Sequence, residues 1–174
     1  MMNRQKGFSL LEVLVAFLIL SVGLLGVASL QATSIRAGTS SMLRTLSLLS
    51  SQEIIERMQA NTSAIPSYAS ALSGAPTAPT PRCSQQNGAI AAACTPEQLA
   101  INDVFEWKQN LAAQFGGLGA QSSITVTPQG NLMNVAITIQ WDERTSQRST
   151  QANTVDDGTV QQSYAVNVLI LPTT

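Results

Sequence analysis

The stretch Lys6-Gly7-Phe8-Ser9-Leu10-Leu11-Glu12 holds two features that invite chemistry. Gly7 leaves the backbone ahead of Phe8 unhindered and flexible, as no other residue does. Glu12 is an acid at the head of an apolar run: from residue 13 to residue 28 the only side-chain polar atom is the Ser21 hydroxyl. Residues 8 to 30 approach the roughly 20 needed to cross a bilayer. A carboxylate at the centre of a membrane helix costs about 2.5 to 3.5 kcal/mol, and less near the interface, where the first turns place Glu12. Such an acid calls for a partner of opposite charge.

GFSLLE followed by VLVAFLIL resembles the class III signal of type IV prepilins, in which a prepilin peptidase cuts after the glycine and methylates the new amino terminus. The resemblance implies a cleaved leader of residues 1–7, a cut between Gly7 and Phe8, N-methylation of Phe8 and an assembly role for Glu12. Arg4 and Lys6 would keep the leader cytoplasmic by the positive-inside bias. A secretory signal peptide has a shorter apolar core and a small-residue exit, and no A-x-A-like exit occurs near residues 30 to 39. A plain single-pass anchor explains the hydrophobicity but has no use for Gly, Phe and Glu at these spacings.

The 174 residues suffice for one small domain once the anchor is set aside. Without residues 1–7, seven basic side chains face ten acidic ones. No basic patch emerges, so nucleic-acid binding is not expected. A membrane-anchored enzyme is the contrasting class. The chain has no histidine, no Ser-x-x-Lys and no glycine-rich loop beside a lysine, so no catalytic constellation is visible and no cofactor is called for. Cys83 and Cys94 follow the export signal, and in an oxidising periplasm so close a pair is expected to form a disulfide worth roughly 3 kcal/mol. The alternative is two free thiols. Two thiolates without histidine do not complete a zinc site, so no metal is expected.

The helical pattern continues past the membrane segment. No proline occurs before Pro66, and Ile35, Met42, Leu43, Leu46 and Leu49 share one stripe, from which Ile54, Ile55 and Met58 drift around the cylinder. Asn61-Thr62-Ser63 supplies an end. A helix from residue 8 to about residue 59 is roughly 75 to 80 Å long. Gly23 and Gly26 mark where it would unwind or where helices would pack closely. Residues 64 to 94 are rich in Pro, Ser, Ala, Thr and Gly and read mostly as loop. Thr95-Pro96-Glu97-Gln98 then reads as a capped helix start. Ile101, Val104, Phe105, Leu111, Ala112 and Phe115 share a face, and Gly116-Gly117 ends that helix. Asp103 and Trp107, four apart, read as a surface aspartate and a half-buried core tryptophan.

Residues 124 to 127, then Val135, Ile137, Ile139 and Trp141, then Tyr164, Val166, Val168 and Ile170 alternate as strands of an antiparallel sheet with one buried face. Residues 142 to 162 read as a solvated connection, with Asp156-Asp157-Gly158 as a turn too sparse in ligands for an EF-hand.

The expected fold is α+β: a long amino-terminal helix, membrane-embedded in its first half, packed against a small antiparallel sheet, as in pilins. The expected division is leader 1–7, membrane and assembly helix 8–30, amphipathic continuation 31–61 and periplasmic globular domain 62–174. LLEVLVAFLILSVGLLGVASLQ, the R-T-x-x-L and ERMQAN segments, the D-x-x-x-W helix and the late I-x-I-x-W strand are similar to PilV-type minor pilins of type IV pili. That resemblance implies, as partners, prepilin peptidase, the major pilin and other minor pilins, with passage from the inner membrane to the pilus. A minor pseudopilin of type II secretion, which opens with a similar LLEVLVA, is the neighbouring alternative. A tip adhesin using loops 67–94 and 142–162 is another.

Overall fold

The computed structural model describes residues 9–74, 76–80, 82–83, 94–144 and 159–173. In chain order they form α1 (Leu10–Ala60), a 3₁₀ segment (Thr62–Tyr68), β1 (Ser70–Ser73), α2 (Pro96–Gln114), β2 (Gln121–Gln129), β3 (Leu132–Arg144) and β4 (Thr159–Ile170). The chain divides into two compact units between Met42 and Leu43, inside α1.

In the first unit α1 exposes its apolar side chains all round, from Leu10 to Leu30. It is long and apolar enough to cross a membrane. Ser9 starts it: the Glu12 N–H donates to the Ser9 hydroxyl at 3.2 Å and to the Ser9 carbonyl at 3.1 Å. The hydroxyls of Ser21, Thr33 and Thr39 donate to the carbonyls of Leu18, Ser29 and Ile35. Hydroxyls satisfied by their own helix need no water, so the Ser21 group adds little to the cost of a lipid environment. The helix runs through Gly23 and Gly26, where an added Cβ would meet nothing within 4 Å.

The second unit holds the core. Ile54 and Met58 of α1, Trp107 and Leu111 of α2, and Val135, Ile137, Ile139 and Trp141 of β3 are all buried together. The four strands lie in the order β1-β2-β3-β4, every neighbouring pair antiparallel. Strand alternation explains the sheet's buried face, because residues two apart point the same way. A two-residue connection, Gly130-Asn131, joins β2 to β3, with Gly130 at φ 63° as a tight hairpin requires. The expected α+β arrangement, a long helix against an antiparallel sheet, is the one observed.

Several local expectations need correction. Met42, Leu49 and Ile35 are exposed, and the stripe that α1 buries is Leu43, Ser47, Ser50, Ser51, Ile54 and Met58. Serines are tolerated there because two of them bond back into the helix: Ser47 to the Leu43 carbonyl, Ser51 to the Ser47 carbonyl. Ile101 and Ala112 are exposed, while Asp103 and Lys108 are buried. The region after residue 61 holds the 3₁₀ segment and β1 as well as loop. The solvated connection is shorter than 142–162, since Asp142↔Gln161 and Arg144↔Thr159 are paired. The turn at Asp156-Asp157-Gly158 lies outside the described residues.

The start of α2 is as expected. The Thr95 hydroxyl accepts from the Gln98 N–H, the Gln98 side chain accepts from the Thr95 N–H, and Pro96 occupies the first turn. Glu97 in the same turn has its pKa lowered by its own backbone N–H and by the Thr95 side chain. Gly116 and Gly117, at φ 57° and 86°, end the helix in a conformation that glycine adopts readily.

Candidate functional site

Glu12 stands in the first turn of α1 and is exposed. A negative charge there is favoured by the helix dipole, whose positive end is at the amino terminus. Among the described residues its carboxylate has no hydrogen-bond or ion-pair partner. Beside it, Val13, Ala16, Phe17 and Leu20 line an apolar groove, where the small Ala16 leaves a dip between larger neighbours. The arrangement is one acid beside an apolar groove, which suits charge pairing with another chain. Gly7 and Phe8, with Arg4 and Lys6 of the leader, lie outside the described residues.

The second unit carries a separate polar cluster. Arg57, near the end of α1, donates to Asp103 Oδ1 at 2.9 Å, to Glu53 Oε1 at 2.9 Å and to Glu106 Oε2 at 3.3 Å. Desolvation works against the guanidinium charge, but these carboxylates outweigh it and hold the Arg57 pKa above its usual value. The Tyr68 hydroxyl donates to Asp103 Oδ2 at 2.8 Å, and burial, then that bond, push the phenol pKa up. Asn61 donates to the Pro96 carbonyl at 2.7 Å, and the Trp107 indole N–H donates to the Ser50 carbonyl at 2.8 Å. The ERMQAN and D-x-x-x-W segments thus meet in space as a clamp between α1 and α2. Asp103, 9% exposed, and Trp107, fully buried, are structural members of that clamp. This corrects the surface reading of Asp103 and the half-buried reading of Trp107. The i,i+4 pair Glu53–Arg57 was the available sequence signal for it.

Lys108 is buried, and its ammonium donates to the carbonyls of Ala71 and Ser122, both at 2.9 Å, and to the Ser73 hydroxyl at 3.0 Å. Three acceptors satisfy its three protons, while burial lowers its pKa. It ties α2 to β1 and β2. A cleft nearby is lined by Ser67, Ser70, Thr77, Ile101 and Phe105, and the Arg82 guanidinium lies 4.8 Å from the centre of the Phe105 ring. Cys83 and Cys94 are bridged, closing a loop at the entrance to α2, and the Cys83 N–H donates to Asn102 Oδ1 at 3.3 Å.

Two family models match the chain. The Prokaryotic N-terminal methylation motif covers residues 2–28, and the model described as Type IV pilin Tt1218 covers residues 29–105. No curated protein and no solved structure matches. The motif spans the Gly7–Phe8 bond and Glu12, and the adjoining match takes in the rest of α1, β1 and the first half of α2. With a prepilin methylation motif running directly into a pilin match, on a long apolar helix joined to an antiparallel sheet, the chain is a type IV pilin.

Proposed function

We propose that this pilin is a minor subunit of the type IV pilus, of the PilV kind, that takes part in pilus assembly. In this reading prepilin peptidase removes residues 1–7 and methylates the amine of Phe8. The apolar part of α1 then holds the subunit in the inner membrane, with the second unit in the periplasm, until it passes into the fibre beside the major pilin and other minor pilins. The role is structural.

One observation carries the reading: Glu12 is the only acidic residue before Glu53, and it lies exposed, with no partner among the described residues, on an apolar helix just after the proposed cut. The ammonium created at Phe8 supplies the complementary charge on a neighbouring subunit. Two unit charges about 4 Å apart attract by about 4 kcal/mol at an effective dielectric near 20, while a buried carboxylate without a partner is strongly destabilising. Charge pairing sets the register, and apolar contacts between helices supply cohesion. Gly23 and Gly26, which no packing within the chain requires, permit close approach of neighbouring helices.

The test is Glu12→Ala followed through processing and assembly. The variant is expected to reach the mass of a chain that lacks residues 1–7 and carries one methyl group, yet to be missing from sheared pili. Normal incorporation refutes the role given to Glu12, and an intact leader on chain recovered from pili refutes the processing. Recovery with secretion-system pseudopilins instead of pilins would transfer the subunit to the type II apparatus.

A further inference from the structure

The sheet treats its two edges differently. At one edge β1 is four residues long, its register with β2 slips between Ser70 and Ser73, and the Ala71 carbonyl is taken by the Lys108 ammonium. Short length, irregular register and a nearby lysine are the devices by which proteins stop an edge from recruiting another strand. At the other edge β4 has none of them. It is twelve residues long, pairs with β3 without a break from Met133↔Ile170 to Arg144↔Thr159, and has no proline. No Asp, Glu, Lys or Arg occurs from residue 159 to residue 174. Among the described residues β4 is paired on one side only.

The side chains agree with the backbone. Tyr164, Val166 and Val168 face the core but remain half-exposed, whereas Ile137 and Ile139 in the neighbouring β3 are fully buried. The core layer therefore stops one strand short of covering them. Beyond β4, Thr173 meets Thr62, the two hydroxyl oxygens 2.8 Å apart, so the strand's far end is anchored rather than frayed.

We propose that β4 is a docking edge that accepts an extended segment from a different subunit of the fibre, adding a fifth strand to the sheet. The free N–H and C=O groups of β4 demand a peptide backbone, and the half-exposed Tyr164, Val166 and Val168 demand apolar residues at alternate positions of that segment. The uncharged edge sets the rest of the chemistry. A charged residue at a core-facing position of the incoming strand would lose water with nothing opposite to pair, so the occupant is uncharged at those alternate positions. This inference rests on the proposed place of the chain in a fibre, and it adds a second contact independent of Glu12.

Hydrogen exchange tests it on the full processed chain, comparing chain isolated in detergent with chain recovered in sheared pili. In an antiparallel pair about half of the amides of an edge strand point away from its partner. These are expected to exchange quickly in detergent and to slow by about tenfold or more in the fibre, in peptides covering residues 159–171. Unchanged exchange in the fibre overturns the inference while leaving the pilin role intact; absence of the chain from pili overturns both. Slow exchange in detergent that sharpens with concentration would identify β4 of a second copy as the occupant and overturn the assignment to another subunit. Val166→Lys places an ammonium on the face to be covered and is expected to cut recovery in pili by about tenfold, while the chain in detergent stays folded with a thermal midpoint lowered by the loss of a half-buried valine. Equal recovery overturns the proposal, and the exchange comparison decides alone if the variant fails to fold.

Discussion

The guanidinium of Arg57 lies 2.9 Å from Oδ1 of Asp103, joining α1 to α2 across 46 positions of sequence. Asp103 is 9% exposed and also accepts the Tyr68 hydroxyl, so one carboxylate organises two elements at once. Glu53, on the same helix as Arg57 and more exposed than Asp103, is a lesser partner.

That asymmetry predicts unequal losses. Asp103→Ala strands the Tyr68 hydroxyl and removes the arginine's most buried partner, and is expected to destabilise the second unit by about 2 to 4 kcal/mol. Glu53→Ala removes a half-exposed i,i+4 pair and should cost about 0.5 kcal/mol. Denaturant unfolding of both variants checks the ranking, and equal losses would contradict it.

Tyr68 predicts an alkaline limit. Its folded pKa lies above the unfolded value of 10.0, so the neutral phenol is favoured in the fold. The stability it contributes is fully present below pH 10 and is lost as pH rises through the raised value. Against Tyr68→Phe, which lacks the titrating group, the native chain is expected to lose stability selectively above pH 10. A difference between the two that stays constant to pH 12 would remove Tyr68 from the alkaline transition.

Trp107 predicts a separable polar contribution. Trp107→Phe keeps most of the buried ring but removes the N–H donated to the Ser50 carbonyl, for an expected loss of about 1 to 2 kcal/mol. Trp107→Ala also opens a cavity among Leu111, Ile54 and their neighbours and should cost about 3 to 5 kcal/mol. Thermal and denaturant unfolding distinguish the two steps.

The Cys83–Cys94 bridge closes a loop of eleven positions. In the chain-entropy model, paired replacement by serine lowers stability by about 3 kcal/mol. The same loss should follow reduction of the native chain, and an unfolding midpoint insensitive to reductant would show that the bridge contributes nothing to stability.

What was legible in the sequence was what depends on near neighbours. Thr95, Pro96 and Gln98 announce a helix start because the whole capping box lies within four residues. Val135, Ile137, Ile139 and Trp141 announce a strand because alternation is local to one segment. Asp103 was misread because its partners are 46 and 35 positions away, so its type suggested water. The serine stripe was missed for a related reason: Ser47 and Ser51 become compatible with a core only by bonding back to Leu43 and Ser47. β1, with the sequence S-A-L-S, has too few apolar residues to show a period. The candidate site reverses the pattern, since Gly7, Phe8 and Glu12 owe their proposed chemistry to covalent order and charge.

Every residue of the core cluster lies at or beyond Leu43. Positions 9–42 therefore contribute nothing to that core, and under the proposed role their sequence answers to lipid and to neighbouring molecules. In that role, changes along this stretch would tune insertion, extraction and retention without disturbing the module that it carries.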